Sequence, residues 1–281
     1  FRGDTVPSVP EAVIIDLRRM DKIIRIDRRN RMVLIEPGVT YAQLQPALAE
    51  EGLRLSTPLL PRRSKSVIAS LLEREPTLVP KYNHTLLEPL RCLEIVWGNG
   101  EILRTGDAGG YYPTLEQQWE MGLAQVFSGG PGQVDYYRLV SGAQGSIGIV
   151  TWASVKCEVL PKVHRFFFIP ADDLKGLIEC AYRLLKVRLG DEFLVLNSAN
   201  LAAILSRNAD GIQALKNKLP PWVIIMGIAG RDLFPEEKVD FQEKDTRDIV
   251  QQFGLELLPA VSGIGGGQVM STILNPSPVT Y

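Results

Sequence analysis

The sequence predicts an α+β protein in two parts, residues 1–161 and 162–281. Three observations carry that prediction. Up to Pro161, short apolar runs alternate with hairpin-type turns. Beyond Pro161 the pattern changes to strand, long helix, strand, strand, long helix, strand, the order of a ferredoxin-like sandwich. Gly and Pro number 25 and 19 of 281 residues, a richness that implies many turns between packed elements.

The elements follow in order. Ala12 to Leu17 reads as a short buried strand. Lys22 to Asp27 and Arg31 to Glu36 form a hairpin around Asp27-Arg28-Arg29-Asn30, with Asn30 in the left-handed position. Pro37-Gly38 ends the second strand. Thr40 then caps a helix, with Gln43 three residues on completing a capping box and Leu44, Ala47 and Leu48 forming its apolar stripe. Pro46 removes a backbone bond and predicts a bend or a late start. Ser64 to Leu72 reads as a second short helix, and Pro76 to Pro89 as an irregular segment. Leu93 to Trp97 and Glu101 to Thr105 pair around Gly98-Asn99-Gly100. A loop-rich stretch from Gly106 to Gly132 carries one helix, Thr114 to Met121. Asp135 to Val140 is a short helix, and Ile147 to Leu160 a long β run closed by Pro161. In the second part, Val163 to Ile169 is a strand, and Leu174, Leu177, Ile178, Ala181, Leu184 and Leu185 keep helical spacing. Phe193 to Leu196, Trp222 to Ile228 and Leu255 to Leu258 are strands, and Ala199 to Leu205 is a small helix. Pro235 opens the last long helix and Gly254 closes it.

Composition excludes several classes. Lys plus Arg is 31 and Asp plus Glu is 32, a net charge of −1 that draws the protein to neither nucleic acid nor anionic lipid. The longest apolar run, Trp222 to Ala229, falls far short of the roughly 18–20 residues a membrane span needs. Cys92, Cys157 and Cys180 form no CxxC pair, which argues against a zinc ribbon or iron–sulfur ligation. An odd count within apolar stretches suits buried thiols in a reducing, cytoplasmic compartment. Two histidines, His84 and His164, exclude a His-rich metal site, and no metal is expected. Phe1-Arg2-Gly3-Asp4 reads as the middle of a longer protein.

Two motifs carry chemistry. In Ser141-Gly142-Ala143-Gln144-Gly145-Ser146-Ile147-Gly148-Ile149-Val150-Thr151, glycines three apart let backbone approach a flat or phosphorylated ligand. The stretch leads into a strand rather than from a strand into a helix, so it is not a dinucleotide fingerprint. A tight turn packed under a sheet is the competing reading. In Glu36-Pro37-Gly38-Val39-Thr40, a strand ends directly before a capped helix whose first amides could seat an oxygen. Seen in isolation, ordinary punctuation of a strand–helix junction is the better account of it.

Together with Val13-Ile14-Ile15-Asp16-Leu17, Met20-Asp21-Lys22-Ile23 and Val33-Leu34-Ile35, these motifs resemble the FAD-binding domain of the vanillyl-alcohol oxidase (PCMH-type) flavoproteins. That family includes glycolate-oxidase-subunit-like and D-lactate-dehydrogenase-like enzymes, and the resemblance covers residues 10–160. It implies a two-subdomain FAD-binding domain, residues 1–161, followed by a ferredoxin-like α+β cap domain, residues 162–281. It implies FAD contacts at Pro37, Gly38, Val39, Thr40, Ser66, Gly142, Gly145, Ser146, Gly148, Ile149 and Val150. Neither histidine lies in a flavin motif, so the FAD is expected to be non-covalent. The implied activity is FAD-dependent oxidation of a hydroxy acid or alcohol by hydride transfer to flavin N5. The alternative is a non-catalytic flavin-binding, electron-relay or scaffold subunit of a larger complex. Expected partners are a small-molecule substrate, an electron-accepting subunit and further copies in an oligomer.

The sequence departs from the family in three places. The phosphate-binding loop that precedes a segment like Phe1 to Pro10 is not in this sequence. Ser64-Lys65-Ser66-Val67-Ile68-Ala69-Ser70 stands where the family has a glycine-rich middle motif. The His-containing metal and base motif of the hydroxy-acid branch has no counterpart up to Tyr281. The catalytic base is therefore unassigned. His84 is a candidate set against a surface-loop role, and Tyr111-Tyr112 and Tyr136-Tyr137-Arg138 are set against ordinary surface aromatics. His164 and Phe166-Phe167-Phe168 read as structural, and Gly263 to Gly267 as a hinge, a lid or a flexible linker.

Overall fold

A computed structural model describes residues 7, 9–80, 89–110, 113–130 and 134–275 of the chain. The candidates His84, Tyr111 and Tyr112 lie outside the described residues.

The first part is built on β1 (Ile23–Asp27), β2 (Met32–Ile35), α1 (Tyr41–Glu50), β3 (Leu53–Arg54), α2 (Val67–Leu72), β4 (Leu90–Trp97), β5 (Ile102–Arg104), α3 (Leu115–Glu120), α4 (Tyr137–Val140), β6 (Gly148–Lys156) and β7 (Glu158–Val159). Five of these strands form an antiparallel sheet in the order β1-β2-β6-β4-β5, and β3 pairs separately with β7. Both faces of the large sheet are covered. Tyr41, Leu44 and Leu48 of α1 pack on Val33, Ile35, Leu93, Ile95 and Val155. On the other face Leu34, Cys92 and Trp152 meet Ala108 and Leu115. Double-sided burial explains why Met32–Ile35 is uniformly apolar rather than alternating.

Several expectations are corrected in this part. Ala12 to Leu17 is not a buried strand: it pairs with no strand among the described residues, and Val13 is 90% exposed. A strand needs a hydrogen-bonding neighbour, and the described sheet ends at β1. The left-handed residue of the first hairpin is Arg31 (φ 55°), not Asn30, because the Asp27 carboxylate accepts from both the backbone N–H and the side-chain amide of Asn30. α1 runs through Pro46 from Tyr41 to Glu50 as one helix, so the start is not delayed. The β run is interrupted at Cys157, which separates β6 from β7.

The second part comprises β8 (Val163–Ala171), α5 (Leu174–Lys186), β9 (Phe193–Asn197), α6 (Ser198–Leu205), α7 (Ala209–Lys216), β10 (Trp222–Gly230), α8 (Pro235–Gln252), β11 (Ala260–Val261), β12 (Ile264–Gly265) and α9 (Gly266–Leu274). Its main sheet has the order β8-β10-β9, and the bridge Phe168↔Leu258 adds a fourth chain segment beside β8. That is the ferredoxin-like arrangement, with Leu255 to Leu258 reduced from a strand to one bridge. α5 and α8 cover one face through Leu177, Leu184, Val239 and Val250, and α6 and α9 cover the other through Leu201 and Met270. Gly263 to Gly267 is not a linker. It forms β12 and the start of α9, and a Cβ at Gly266 would stand 2.6 Å from the Phe166 carbonyl oxygen.

Candidate functional site

The glycine-dense segment leaves α4, turns over at the surface and enters β6. Gly142 and Gly145 have φ of 77° and 79°, with Gln144 between them at 52°. Nothing lies within 4 Å of where a Cβ would stand on either glycine. The positive φ explains the choice of glycine, and the open space leaves room for a ligand against the backbone. Residues 144–147 are exposed, whereas Ser141 is buried and its hydroxyl has no hydrogen-bond partner among the described residues. Unpaired buried hydroxyls are uncommon and need a reason.

α2 connects this loop to the other predicted residues. Gly142 N–H donates to Leu72 O at the end of α2 (2.7 Å). At its start, Ser66 caps the helix by accepting from Ala69 N–H (3.1 Å) and bridges Thr40, while Val67 N–H donates to Val39 O. The structure thus brings Pro37 to Thr40, Ser66 and Gly142 to the two ends of one short helix.

The amides at the start of α1 are not available to a ligand. Gly38 N–H donates to Met20 O, Val39 to Glu36 O, Thr40 to Gln43 Oε1, Tyr41 to Lys65 O and Ala42 to Arg63 O. The 63–66 loop satisfies this helix terminus itself. Gly38 has a packing role as well: a Cβ there would stand 2.6 Å from Met20 O and 2.8 Å from Arg18 O.

The remaining predicted residues divide similarly. Ser146 Oγ donates to Ala143 O (2.6 Å) and holds the turn. Gly148 sits where a Cβ would meet Val96 O at 2.7 Å, Ile149 pairs with Val96, and Val150 faces the core. Tyr137 is buried in that core, with Arg138 ion-paired to Asp135 (3.4 Å).

Beside α2, Tyr41 OH donates to Ser70 Oγ, which donates to Glu75, and Lys65 is ion-paired with Glu73 and Glu75. Burial raises the Tyr41 phenol well above its usual range, against the opposing effect of the Ser70 hydrogen bond, so it stays protonated. Desolvation likewise pushes Cys92 up to about 11, Cys157 to about 12 and Cys180 to about 11. All three are buried free thiols, and no group of three or more potential metal ligands occurs among the described residues.

Sequence reasoning missed a second concentration of charge. Arg54 Nη1 donates to Glu192 Oε1 (2.6 Å) and Arg54 Nη2 contacts Glu158 (3.3 Å). Arg231 bridges Glu158 (3.0 Å) and Asp191 (2.7 Å), and His164 Nε2 lies 2.7 Å from Glu192 Oε2. β3 and β7 on one side are thereby tied to β8, β9 and β10 on the other. The available signal was local: the acidic pair Asp191-Glu192 stands between Gly190 and the apolar run of β9.

The orphaned Ser141 hydroxyl and the open left-handed backbone at Gly142 and Gly145 fit a flat, oxygen-bearing cofactor. Residues 3–106 match the FAD binding domain family. The flavoprotein subunit of 4-cresol dehydrogenase [hydroxylating] from Pseudomonas putida is 26% identical over 205 residues, covering 72% of this chain and 36% of that protein. Glycolate oxidase subunit GlcD of Bacillus subtilis is 26% identical over 163 residues, 58% of this chain and 31% of that protein. Among solved structures, substrate-bound p-cresol methylhydroxylase superposes with a TM-score of 0.72 at 19% identity, covering 94% of this chain and 53% of that one. This chain therefore spans about a third of the length of these curated relatives. The fold is the PCMH-type FAD-binding fold, and the cofactor these matches assign is FAD.

Proposed function

We propose, for a chain whose residues 3–106 match a FAD binding domain, that the first sheet and its helices seat FAD non-covalently. The second sheet forms a separate cap domain beyond Pro161, and the whole protein oxidises a CH–OH group of an alcohol or hydroxy acid. The observation that carries this reading is the exposed loop 142–147 beside the unpaired Ser141 hydroxyl. Bound FAD would supply a two-electron acceptor for a substrate hydride. The chain's own contribution is position. Ser141 Oγ offers a hydrogen bond to a ribityl or phosphate oxygen, and Gly142 and Gly145 admit the ligand against the backbone. The substrate class is supported by relatives named 4-cresol dehydrogenase, glycolate oxidase and D-lactate dehydrogenase.

The test begins with the whole protein reconstituted with FAD and separated from free flavin. Yellow protein whose absorbance bleaches anaerobically with 4-alkylphenols or 2-hydroxy acids supports the reading; colourless protein refutes it. Gly145→Asn is the site-specific check, because Asn tolerates the left-handed backbone while filling the open space. Flavin occupancy should fall with little change in apo-protein melting temperature, and full occupancy would remove this loop from the site.

One observation favours a second reading, a flavin-binding relay subunit. The titratable side chains beside α2, Lys65, Glu73 and Glu75, are held in a single ion-pair cluster rather than poised as a base. Bleaching by a reduced redox partner but by none of the substrates would select it.

A further inference from the structure

We infer that the cleft between the two sheets binds an amphipathic monocarboxylate, an apolar chain or ring system ending in one carboxylate. The cleft is a cavity of about 660 Å³, within the size range of small-ligand sites. None of residues 37–40, 66 or 141–150 lines it, so the inference stands whether or not the glycine loop seats FAD. One face of α1 and the β3 strand form one wall, and the start of β8 and the end of α9 form the other. Gln45 Nε2 donates to Leu274 O across the gap (3.2 Å).

The lining states the ligand's chemistry. Leu53, Leu55, Leu78 and Leu160 make most of it apolar, which calls for a hydrocarbon or aromatic body. Among the polar lining residues, Gln45, His164, Glu192 and Asn275 are engaged, whereas Thr57, Arg54 and Arg63 keep donors to spare. Thr57 is 4% exposed and its hydroxyl has no hydrogen-bond partner among the described residues. The Arg54 Nε–H is buried and also without a partner among the described residues. Arg63, exposed at the rim, makes no ion pair among the described residues. The one carboxylate in the lining, Glu192, has both oxygens engaged, by Arg54 and by His164, and so does not recruit a cation. Unsatisfied donors in a cleft that is also lined by a guanidinium without an ion pair among the described residues select an anionic oxygen ligand, and carboxylate meets arginine with the best geometry. An inorganic anion would leave the apolar walls unused.

Thr57 carries a signature that a purely structural residue lacks. A buried hydroxyl without a partner lowers stability, so the isosteric Thr57→Val should raise the melting temperature of the free protein. The same change should weaken ligand binding several-fold.

The experiment is calorimetric titration of the purified chain with sodium decanoate, its neutral counterpart decanamide, and sodium acetate. Decanoate should bind and raise the melting temperature, decanamide should bind at least about tenfold more weakly, and acetate should not bind. Arg63→Gln, at an exposed position that leaves folding intact, should weaken decanoate by about tenfold while leaving decanamide unchanged. Ala42→Phe, which places a ring in the cleft, should abolish decanoate binding in protein whose circular dichroism is native. Absence of decanoate binding overturns the proposal, as does equal affinity for decanamide. Unchanged decanoate binding by folded Ala42→Phe protein would show adsorption elsewhere and overturn it too.

Discussion

Glu192 is the centre of the charge cluster joining the two sheets, and its ionisation sets a measurable share of the stability. The side chain is 1% exposed and shares its two oxygens between Arg54 and His164. Burial alone would push its carboxyl upward, but the His164 hydrogen bond and the charges of Arg54 and His164 outweigh it and hold the group at about 2, against 4.5 for a free glutamate. A carboxyl with a depressed folded-state value stabilises the protein above its unfolded value and loses that stabilisation as pH falls toward the folded one. A difference of this size corresponds to about 3 kcal/mol. Replacing Glu192 with Gln keeps the shape and removes the titration. Urea denaturation of both proteins should give a gap of about 3 kcal/mol at pH 5.5, narrowing to about 2 kcal/mol at pH 3.5. Because all other groups titrate in both proteins, the change in the gap belongs to Glu192 and its partners. A gap that stays constant over this range would show that the carboxylate is not held by its neighbours as described, and the electrostatic account of the interface would fail.

Gly38→Ala and Gly148→Ala should each destabilise the apo-protein by about 1–3 kcal/mol in chemical denaturation, because a Cβ would press on backbone carbonyls within 2.8 Å; wild-type stability would show that these positions relax freely. Native protein should show none of its three thiols reacting with an aromatic disulfide reagent at pH 8, all three appearing in denaturant, since burial holds each thiol protonated. Limited proteolysis should cut near Pro161 and leave two protected fragments if the two sheets are independent domains; a single cut elsewhere, or one indivisible core, would count against that boundary.

What the amino-acid order determined here is local. Gly98-Asn99-Gly100 allowed one compact reversal, and β4 and β5 pair across it with Gly100 at φ 86°. Leu177, Ala181 and Leu184 recur at helical spacing, and all three are buried against the second sheet. Gln43 returns to the Thr40 N–H as the three-residue spacing requires. The glycines at 142 and 145 were legible for the same reason, since a positive φ is a property of one residue and its immediate backbone. Tertiary structure decided the rest, because it depended on partners remote in sequence. The apolar run Val13-Ile14-Ile15 looks like a core strand, yet a strand exists only where another supplies hydrogen bonds. The amides before and at the start of α1 look free until Met20, Glu36 and Gln43 take those of Gly38, Val39 and Thr40 and the 63–66 loop takes those of Tyr41 and Ala42. Arg54, Glu158, His164, Asp191, Glu192 and Arg231 are spread over 178 positions with no common spacing. They meet only because the pairing of β3 with β7 and of β10 with β8 and β9 carries each to one seam, where low dielectric makes their mutual attraction matter.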